Sequence, residues 1–259
     1  MTSRTLTPRA LSVMEDYLHL PFPNKNVSCP YYNNKRGSVR AGLRVLVGKG
    51  TAHEIAEEIK LISMKEKIDL SHMSDEGLTK MLVEHKIGID CSGLAYQILN
   101  AESISESFGP LKSHLKFPYA KNIVRRLLSR MRPIENTGVR SFAHENNSRE
   151  IEFARAQPGD YIVLLCTGKE KTYNHILVIY QTDYEEEILK AIHYVHSFAW
   201  PTDGRYAHGV RKGAITITDP VNPLADQLWT EQGKTGKENF THEKAREAMY
   251  VSLRRLNWF

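Results

Sequence analysis

The sequence predicts an α+β fold, because helical patterns fill the first half of the chain and short strand patterns fill the second half. Apolar residues recur at helical spacing as far as about residue 131, and β-rich runs between polar turns begin at residue 161. A parallel sheet would need the two patterns to alternate along the chain. No flexible linker interrupts the 259 residues. We therefore expect one domain over 1–259, with an N-terminal helical region at 1–85 and a core at 86–259.

Five helices are predicted in the first half of the chain. Thr51 and Ser74 stand where N-cap residues belong, and Asp75 and Glu76 add acidic side chains to a first turn. The fifth helix is basic and amphipathic, a pattern that can face a membrane surface or a nucleic acid. Such a helix is more often a solvated surface, and no nucleic-acid-binding motif accompanies it, so we predict no nucleic-acid partner. The predicted segments are 8–17, 52–64, 75–85, 92–99 and about 120–131.

Four strands are predicted after the helices, each a run rich in β-branched and aromatic residues that ends at a polar turn. The longest uninterrupted apolar run is Tyr161–Cys166. A membrane-spanning helix needs about 20 such residues, so we predict no transmembrane segment. The predicted strands are 161–166, 176–180, 188–198 and 214–218.

Composition limits the class of protein. The hydrophobic fraction of 41% and the charged fraction of 25% are ordinary for a globular chain, and the net charge of +5 favours anionic partners without identifying one. Cys29, Cys91 and Cys166 form no CxxC pair, so neither a disulfide framework nor a zinc finger is expected. The N-terminus lacks the apolar stretch of a signal peptide, which favours a cytoplasmic location, with non-classical export left open.

The sharpest local feature is the hexapeptide Gly88–Gly93, which reads GIDCSG and directly precedes the apolar helix. A cysteine at a helix N-terminus lies beside unpaired backbone N–H groups and the positive end of the helix dipole. Both features lower the pKa of the thiol, and the same N–H groups can donate to a developing oxyanion. Cys91 is therefore a candidate nucleophile. The alternative is a small buried side chain with no reactive role.

A thiol nucleophile needs a base and a third group that holds the base in one tautomer. His175 opens the strand His175–Tyr180, which places its imidazole at the rim of a sheet. His193 and His196 lie on the next strand, and both have the right chemistry for the third group. Their odd spacing sends the two side chains to opposite faces of a regular strand, so only one of them can reach His175.

These residues resemble the signature of the NlpC-like cysteine peptidases, a papain-fold family that cuts cell-wall peptides in bacteria. The family's elements are an Asp-Cys-Ser-Gly tetrad, a Pro-Gly-Asp turn, a strand that begins with histidine, and a strand that carries a Val-His pair. The matching segments occur here in the same order, as 90–93, 158–160, 175–180 and 194–197. Family members also carry a Pro-Tyr motif upstream of the cysteine, and Pro30–Asn34 resembles a divergent copy of it.

The resemblance implies a papain-like fold: a helical N-terminal half packed on a small antiparallel sheet or half-barrel, with a helical insertion, within residues 1–85, before the catalytic cysteine. It implies Cys91 as the nucleophile, His175 as general base and then acid, and His196 as the orienting residue. It also implies that a tyrosine hydroxyl serves the oxyanion hole, and we assign that role to Tyr31, with Tyr32 as the competitor. The activity implied is amide hydrolysis in a peptidoglycan-type peptide, with that peptide as the partner and no cofactor.

Other polar groups are candidates for holding the substrate. Asp90 and Ser92 flank the nucleophile, and Asp203 and Arg205 follow the strand of His196, where they could bind an ammonium or carboxylate group. No metal site is expected, because an HxxH spacing on a strand splits its two histidines across the faces. Two rival functions remain. One is acyl transfer or amide cleavage on another substrate, and the other is a binding module without activity, which a buried Cys91 would favour.

Overall fold

The computed structural model describes residues 1–34, 43–120 and 122–259, and for Arg125 it describes the backbone alone. Over these residues the chain is an α+β structure, as predicted, with helices packed on an antiparallel sheet. The helices are α1 (Pro8–Leu18), α2 (Ala52–Glu66), α3 (Asp75–Glu84), α4 (Cys91–Ser105), α5 (Ile123–Met131), α6 (Pro133–Asn136), α7 (Val139–Phe142) and α8 (Phe240–Glu247).

The five predicted helices are all present as α1 to α5, and the two predicted caps are confirmed. The Thr51 hydroxyl accepts from the Glu54 N–H at 3.1 Å while the Glu54 carboxylate accepts from the Thr51 N–H at 2.8 Å, which is a capping box. The Ser74 hydroxyl accepts from the Gly77 N–H at 3.1 Å. The fifth helix was expected from about residue 120, but α5 begins at Ile123, and Lys121 lies outside the described residues.

The sheet contains nine strands in the part of the chain that the structure describes, and it is not closed. It is larger than the small sheet expected, because five of its strands lie outside the four predicted runs. Every pairing is antiparallel, in the order β2-β9-β3-β4-β5-β6-β7-β8, with β1 paired to the second half of β4. The strands are β1 (Thr2–Thr5), β2 (Ser148–Glu150), β3 (Tyr161–Thr167), β4 (Tyr173–Glu185), β5 (Ile188–Phe198), β6 (Gly209–Thr216), β7 (Leu228–Glu231), β8 (Lys234–Thr235) and β9 (Tyr250–Leu256).

Both faces of the central strands are buried, each by a different layer. Ile176, Val178 and Val195 belong to an apolar cluster that includes α1 and α4. The residues of opposite parity, such as Leu177 and Tyr194, belong to a second cluster formed with β7, β9 and α8. The nearly continuous apolar run of β3 follows from this arrangement, because a strand covered on both faces needs apolar side chains at every position.

Helix α5 exposes its apolar side chains together with its arginines, whereas a usual surface helix buries its apolar side. Ile123 is 83% exposed and Leu127 is 58% exposed, whereas Ser129 is buried at 4%. Arg126 and Arg130 are exposed as well. The helix is solvated, as expected, and its exposed side chains include the apolar ones. No helix in the described ranges has the length and hydropathy that a membrane span requires.

Candidate active site

Helix α4 begins at Cys91 because Asp90 caps it. Asp90 has an extended backbone, and its carboxylate accepts from the Gly93 N–H at 2.6 Å. The start of the helix lies tightly against the preceding loop: a Cβ at Gly93 would be 2.6 Å from the Gly48 carbonyl oxygen, so only glycine fits there. Cys91 thus occupies the first helical position, where its own N–H has no partner within the helix.

A buried lysine holds the residues that flank Cys91. The Lys49 ammonium lies 2.8 Å from Asp90 Oδ1 and donates to Ser92 Oγ at 2.6 Å and to the Thr137 carbonyl at 3.1 Å. Lys49 is 5% exposed, and the Ser92 hydroxyl also donates to Asp90 at 2.9 Å. The polar groups of Asp90 and Ser92 therefore bond within the protein and fix the helix start. The oxyanion or substrate role predicted for these two residues stays a prediction.

The thiol of Cys91 is held in its neutral form. Burial raises its pKa to about 12, and the Asp90 carboxylate adds to that effect, whereas Lys49 and backbone hydrogen bonds with Ile176 and Ser92 act to lower it. This outcome opposes the lowered pKa that we expected from the helix N-terminus, because desolvation of the thiolate dominates at a site that is 7% exposed. The bond with Ile176 also places the sulfur beside the residue that follows His175.

Three buried side chains form a hydrogen-bonded chain across β4, β5 and β7. His175 Nε2 lies 2.7 Å from His196 Nδ1, and His196 Nε2 lies 3.1 Å from Glu231 Oε2. The three residues are between 1% and 3% exposed. The structure thus brings together the predicted base and the predicted orienting residue, and it adds a carboxylate at the far end of the chain.

The carboxylate of Glu231 is ionised although it is buried. Burial alone raises its pKa, but His196, a hydrogen bond from Tyr194 and the nearby Arg211 together bring the pKa below its ordinary value. The Tyr194 hydroxyl donates to Glu231 Oε2 at 2.8 Å, and Arg211 Nε lies 3.7 Å from Oε1. Paired and hydrogen-bonded in this way, a buried carboxylate keeps its charge.

His175 is also neutral at rest. Burial lowers the pKa of its imidazole well below the ordinary value, and the nearby His196 and Arg211 act in the same direction. The ring packs on Phe198, with the ring centroids 4.3 Å apart. Among the hydrogen bonds of the described residues, none joins Cys91 to His175. The resting site therefore combines a neutral thiol with a neutral imidazole.

The two histidines of β5 lie on opposite faces, as predicted from their spacing. His196 bonds His175 and Glu231 in the interior, whereas His193 Nε2 lies 2.7 Å from Asp183 Oδ2 at a partly exposed position. The register of β5 against β6 is regular from Ala191 to Phe198. An irregularity in the pairing of β4 and β5, at Ile179–Gln181, leaves the alternation along β5 intact.

The tyrosine motif lies beside the residues that precede Cys91. Tyr31 forms an isolated parallel bridge with Ile89, and the Tyr32 N–H donates to the Ile89 carbonyl at 3.2 Å. A Cβ at Gly88 would be 2.2 Å from the Pro30 carbonyl oxygen, so the two segments touch along their backbones. The Tyr31 hydroxyl accepts from Asn33 Nδ2 at 3.1 Å. The motif therefore lies against the segment that leads into Cys91, and both the oxyanion role and the choice between Tyr31 and Tyr32 stay predictions.

The two candidate residues after β5 differ, because Asp203 is buried in hydrogen bonds within the protein and Arg205 is exposed. Asp203 is 7% exposed at its side chain, and it accepts from Arg211 Nη2 at 2.6 Å and from the Trp200 N–H at 3.2 Å. Arg205 is exposed, and its guanidinium lies 5.3 Å from the centre of the Tyr206 ring. Their predicted role in holding substrate is thus not visible in their contacts and stays a prediction.

Two residues of this site, Lys49 and Glu231, were not predicted from the sequence. Glu231 had a usable signal: it shares strand parity with Trp229 in the short run Leu228–Glu231, so an inward tryptophan predicts an inward carboxylate. Lys49 had no such signal, because it lies in a loop and nothing in its neighbours predicts burial.

Comparison with models of known protein families finds no match to this chain. Comparison with curated proteins also finds no match. The function is therefore inferred from the residues and their geometry.

The raised thiol pKa predicts how Cys91 reacts with iodoacetamide. Only the thiolate reacts, so a pKa of about 12 makes the rate rise tenfold per pH unit from pH 7 to pH 10. An ordinary thiol of pKa about 8.5 levels off over that range. Peptide mapping by mass spectrometry reads the rate at each pH, with the partly exposed Cys166 as an internal comparison. A plateau for Cys91 below pH 8 would instead show a thiolate paired with a protonated imidazole.

Proposed function

We propose that this protein is an NlpC-like, papain-fold thiol hydrolase that cleaves an amide bond in a peptidoglycan-type peptide. The observation that carries the proposal is Cys91 at a capped helix start, hydrogen-bonded to the backbone of Ile176, next in sequence to the buried chain His175–His196–Glu231. Cys91, His175 and His196 come from segments that occur in the order of the family's signature, and Glu231 joins the two histidines from β7. The Ser197 hydroxyl also donates to the Ile89 carbonyl at 2.8 Å, which joins the end of β5 to the segment that leads into Cys91.

The proposed reaction follows from the protonation states at rest. His175 Nε2 is committed to His196, so Nδ1 is the ring nitrogen that takes the thiol proton as Cys91 Sγ attacks the carbonyl carbon. The Cys91 N–H and the Tyr31 hydroxyl stabilise the oxyanion. His175 then gives the proton to the leaving amine, which departs and leaves a thioester on Cys91. Water attacks the thioester with His175 again as base, and the free carboxylic acid and the thiol are released.

A second candidate is a binding module without activity. Cys91 is 7% exposed, its thiol is neutral, and no hydrogen bond joins it to His175 in the described residues. These features are expected of a binding module that has no catalytic activity. The acyl-transfer alternative shares the proposed nucleophile and differs only in the acceptor of the acyl group.

A product screen on defined muropeptides separates these functions. The native protein and its Cys91→Ala variant are each incubated with the peptides, and products are identified by mass spectrometry. We expect cleaved peptide from the native protein alone. Binding by calorimetry without any product would favour the binding module, and transfer to an added amine in place of water would favour the acyltransferase. Equal product from both proteins would overturn a thiol mechanism.

A further inference from the structure

We propose that Glu231 is a positioning residue that fixes the tautomers of both buried imidazoles and thereby makes His175 a base. The base role of His175 rests on the proposed function, whereas the tautomers of the two histidines can be measured in the protein without substrate. Glu231 lies at the end of the chain of hydrogen bonds described above, at 1% exposure. It touches neither Cys91 nor His175 through a hydrogen bond given by the structure, so it acts through His196.

The direction of the hydrogen bonds follows from the chemistry of the last member. An ionised carboxylate has no proton to donate, so the bond between His196 Nε2 and Glu231 Oε2 requires the proton on Nε2. We take this to be the only proton on the His196 ring, so that Nδ1 is an acceptor. The bond of 2.7 Å to His175 then requires a proton on His175 Nε2. A nitrogen-15 spectrum that shows His196 protonated on both nitrogens would overturn the inference.

The result at His175 is a bare Nδ1. A neutral His175 with its proton on Nε2 has one unprotonated nitrogen, and that nitrogen is free of the bond to His196. It is therefore able to accept the thiol proton of Cys91. If residue 231 donated a proton instead of accepting one, every hydrogen bond in the chain would reverse. His175 would then carry its proton on Nδ1, the nitrogen that must be unprotonated for His175 to act as a base.

Other contacts of Glu231 support the acceptor role. The Tyr194 hydroxyl donates to the same oxygen as His196, and Arg211 lies beside the other oxygen. Two hydrogen-bond donors and a guanidinium group 3.7 Å away thus surround this carboxylate in the interior. A protonated or amide side chain would leave these donors without a charged acceptor, so the site is built for an anion.

The experiment reads the tautomers directly by nitrogen-15 NMR of histidine-labelled protein without substrate. We expect both His175 and His196 to carry their proton on Nε2 in the native protein. In Glu231→Gln, whose amide can donate, we expect a shift of both rings toward the Nδ1-protonated form. His193, which has its own carboxylate partner in Asp183, should not change and serves as an internal control.

Two controls separate positioning from a merely structural role. Tyr194→Phe removes a hydrogen bond to Glu231 but keeps the carboxylate as acceptor, so the tautomers should stay as in the native protein. Glu238→Gln changes an exposed glutamate and should have no effect. Native rings protonated on Nδ1, or a Glu231→Gln protein with unchanged tautomers, would overturn the inference. The native spectrum decides the first point even where the variant fails to fold.

Turnover supplies a separate readout. Partners that orient a ligating imidazole in metal sites contribute about 10- to 100-fold, and we expect Glu231→Gln to lower kcat by at least about tenfold with KM little changed. Failure of the muropeptide screen with the expected tautomers would overturn the proposed substrate and leave the role of Glu231 standing. Cleavage of a muropeptide by the native protein, together with tautomers that do not change in Glu231→Gln, would support the proposed substrate and overturn the role of Glu231.

Discussion

Replacing His196 by alanine is expected to lower kcat by roughly 10³-fold or more while Cys91 and the fold stay in place. The imidazole of His175 loses the bond that holds its tautomer and ring orientation, and loss of the orienting member of a catalytic triad has an effect of about this size. The measurement is kcat on whichever muropeptide the native protein cleaves, with the melting temperature as a check on folding. His196→Gln keeps an amide at the position and is the second variant if the alanine protein does not fold.

The matched control is His193→Ala, three residues away on the same strand. His193 bonds Asp183 on the opposite face and is partly exposed, so its loss should leave most of the activity. A large loss for His193→Ala together with an active His196→Ala would show that the wrong face of β5 has been assigned to the site.

Local rules account for the parts of the fold that could be predicted. Thr51 and Ser74 cap their helices because a hydroxyl beside the first turn satisfies backbone N–H groups, whatever the rest of the chain does. The opposite faces of His193 and His196 follow from strand alternation in the same way. Strand β1 shows the limit of such rules: Thr2–Thr5 is exposed along its whole length, and only its pairing with β4 makes it a strand.

The parts of the site that were missed depend on contacts between distant segments. The pairing of β6 with β7 brings Glu231 to His196, and the packing of a loop against α4 brings Lys49 to Asp90. The pKa of Cys91 was misjudged for the same reason. A helix N-terminus is visible in the sequence, whereas the burial that raises the thiol pKa becomes visible only in the folded protein.

Lys49→Met is expected to lower the free energy of unfolding by about 3–5 kcal/mol, because it leaves the Asp90 carboxylate without its cation in the interior. Urea unfolding measures the change. Lys112→Met, which removes an exposed lysine, is the control and should stay within about 0.5 kcal/mol of the native protein. A loss below about 1 kcal/mol for Lys49→Met would show that water or another group compensates Asp90.

A second substitution tests whether the charge itself is responsible. Asn still caps a helix but carries no charge, so Lys49→Met combined with Asp90→Asn should recover part of the lost stability. The thiol offers an independent readout, since Lys49 acts to lower the pKa of Cys91 and Asp90 acts to raise it. Lys49→Met should therefore slow alkylation of Cys91 at pH 9, and the double variant should restore the rate. The double variant removes both the positive charge of Lys49 and the negative charge of Asp90, whose effects on the Cys91 pKa oppose each other. If alkylation of Cys91 is still slow in this variant, Lys49 acts on the thiol by positioning the start of the helix and not through its charge.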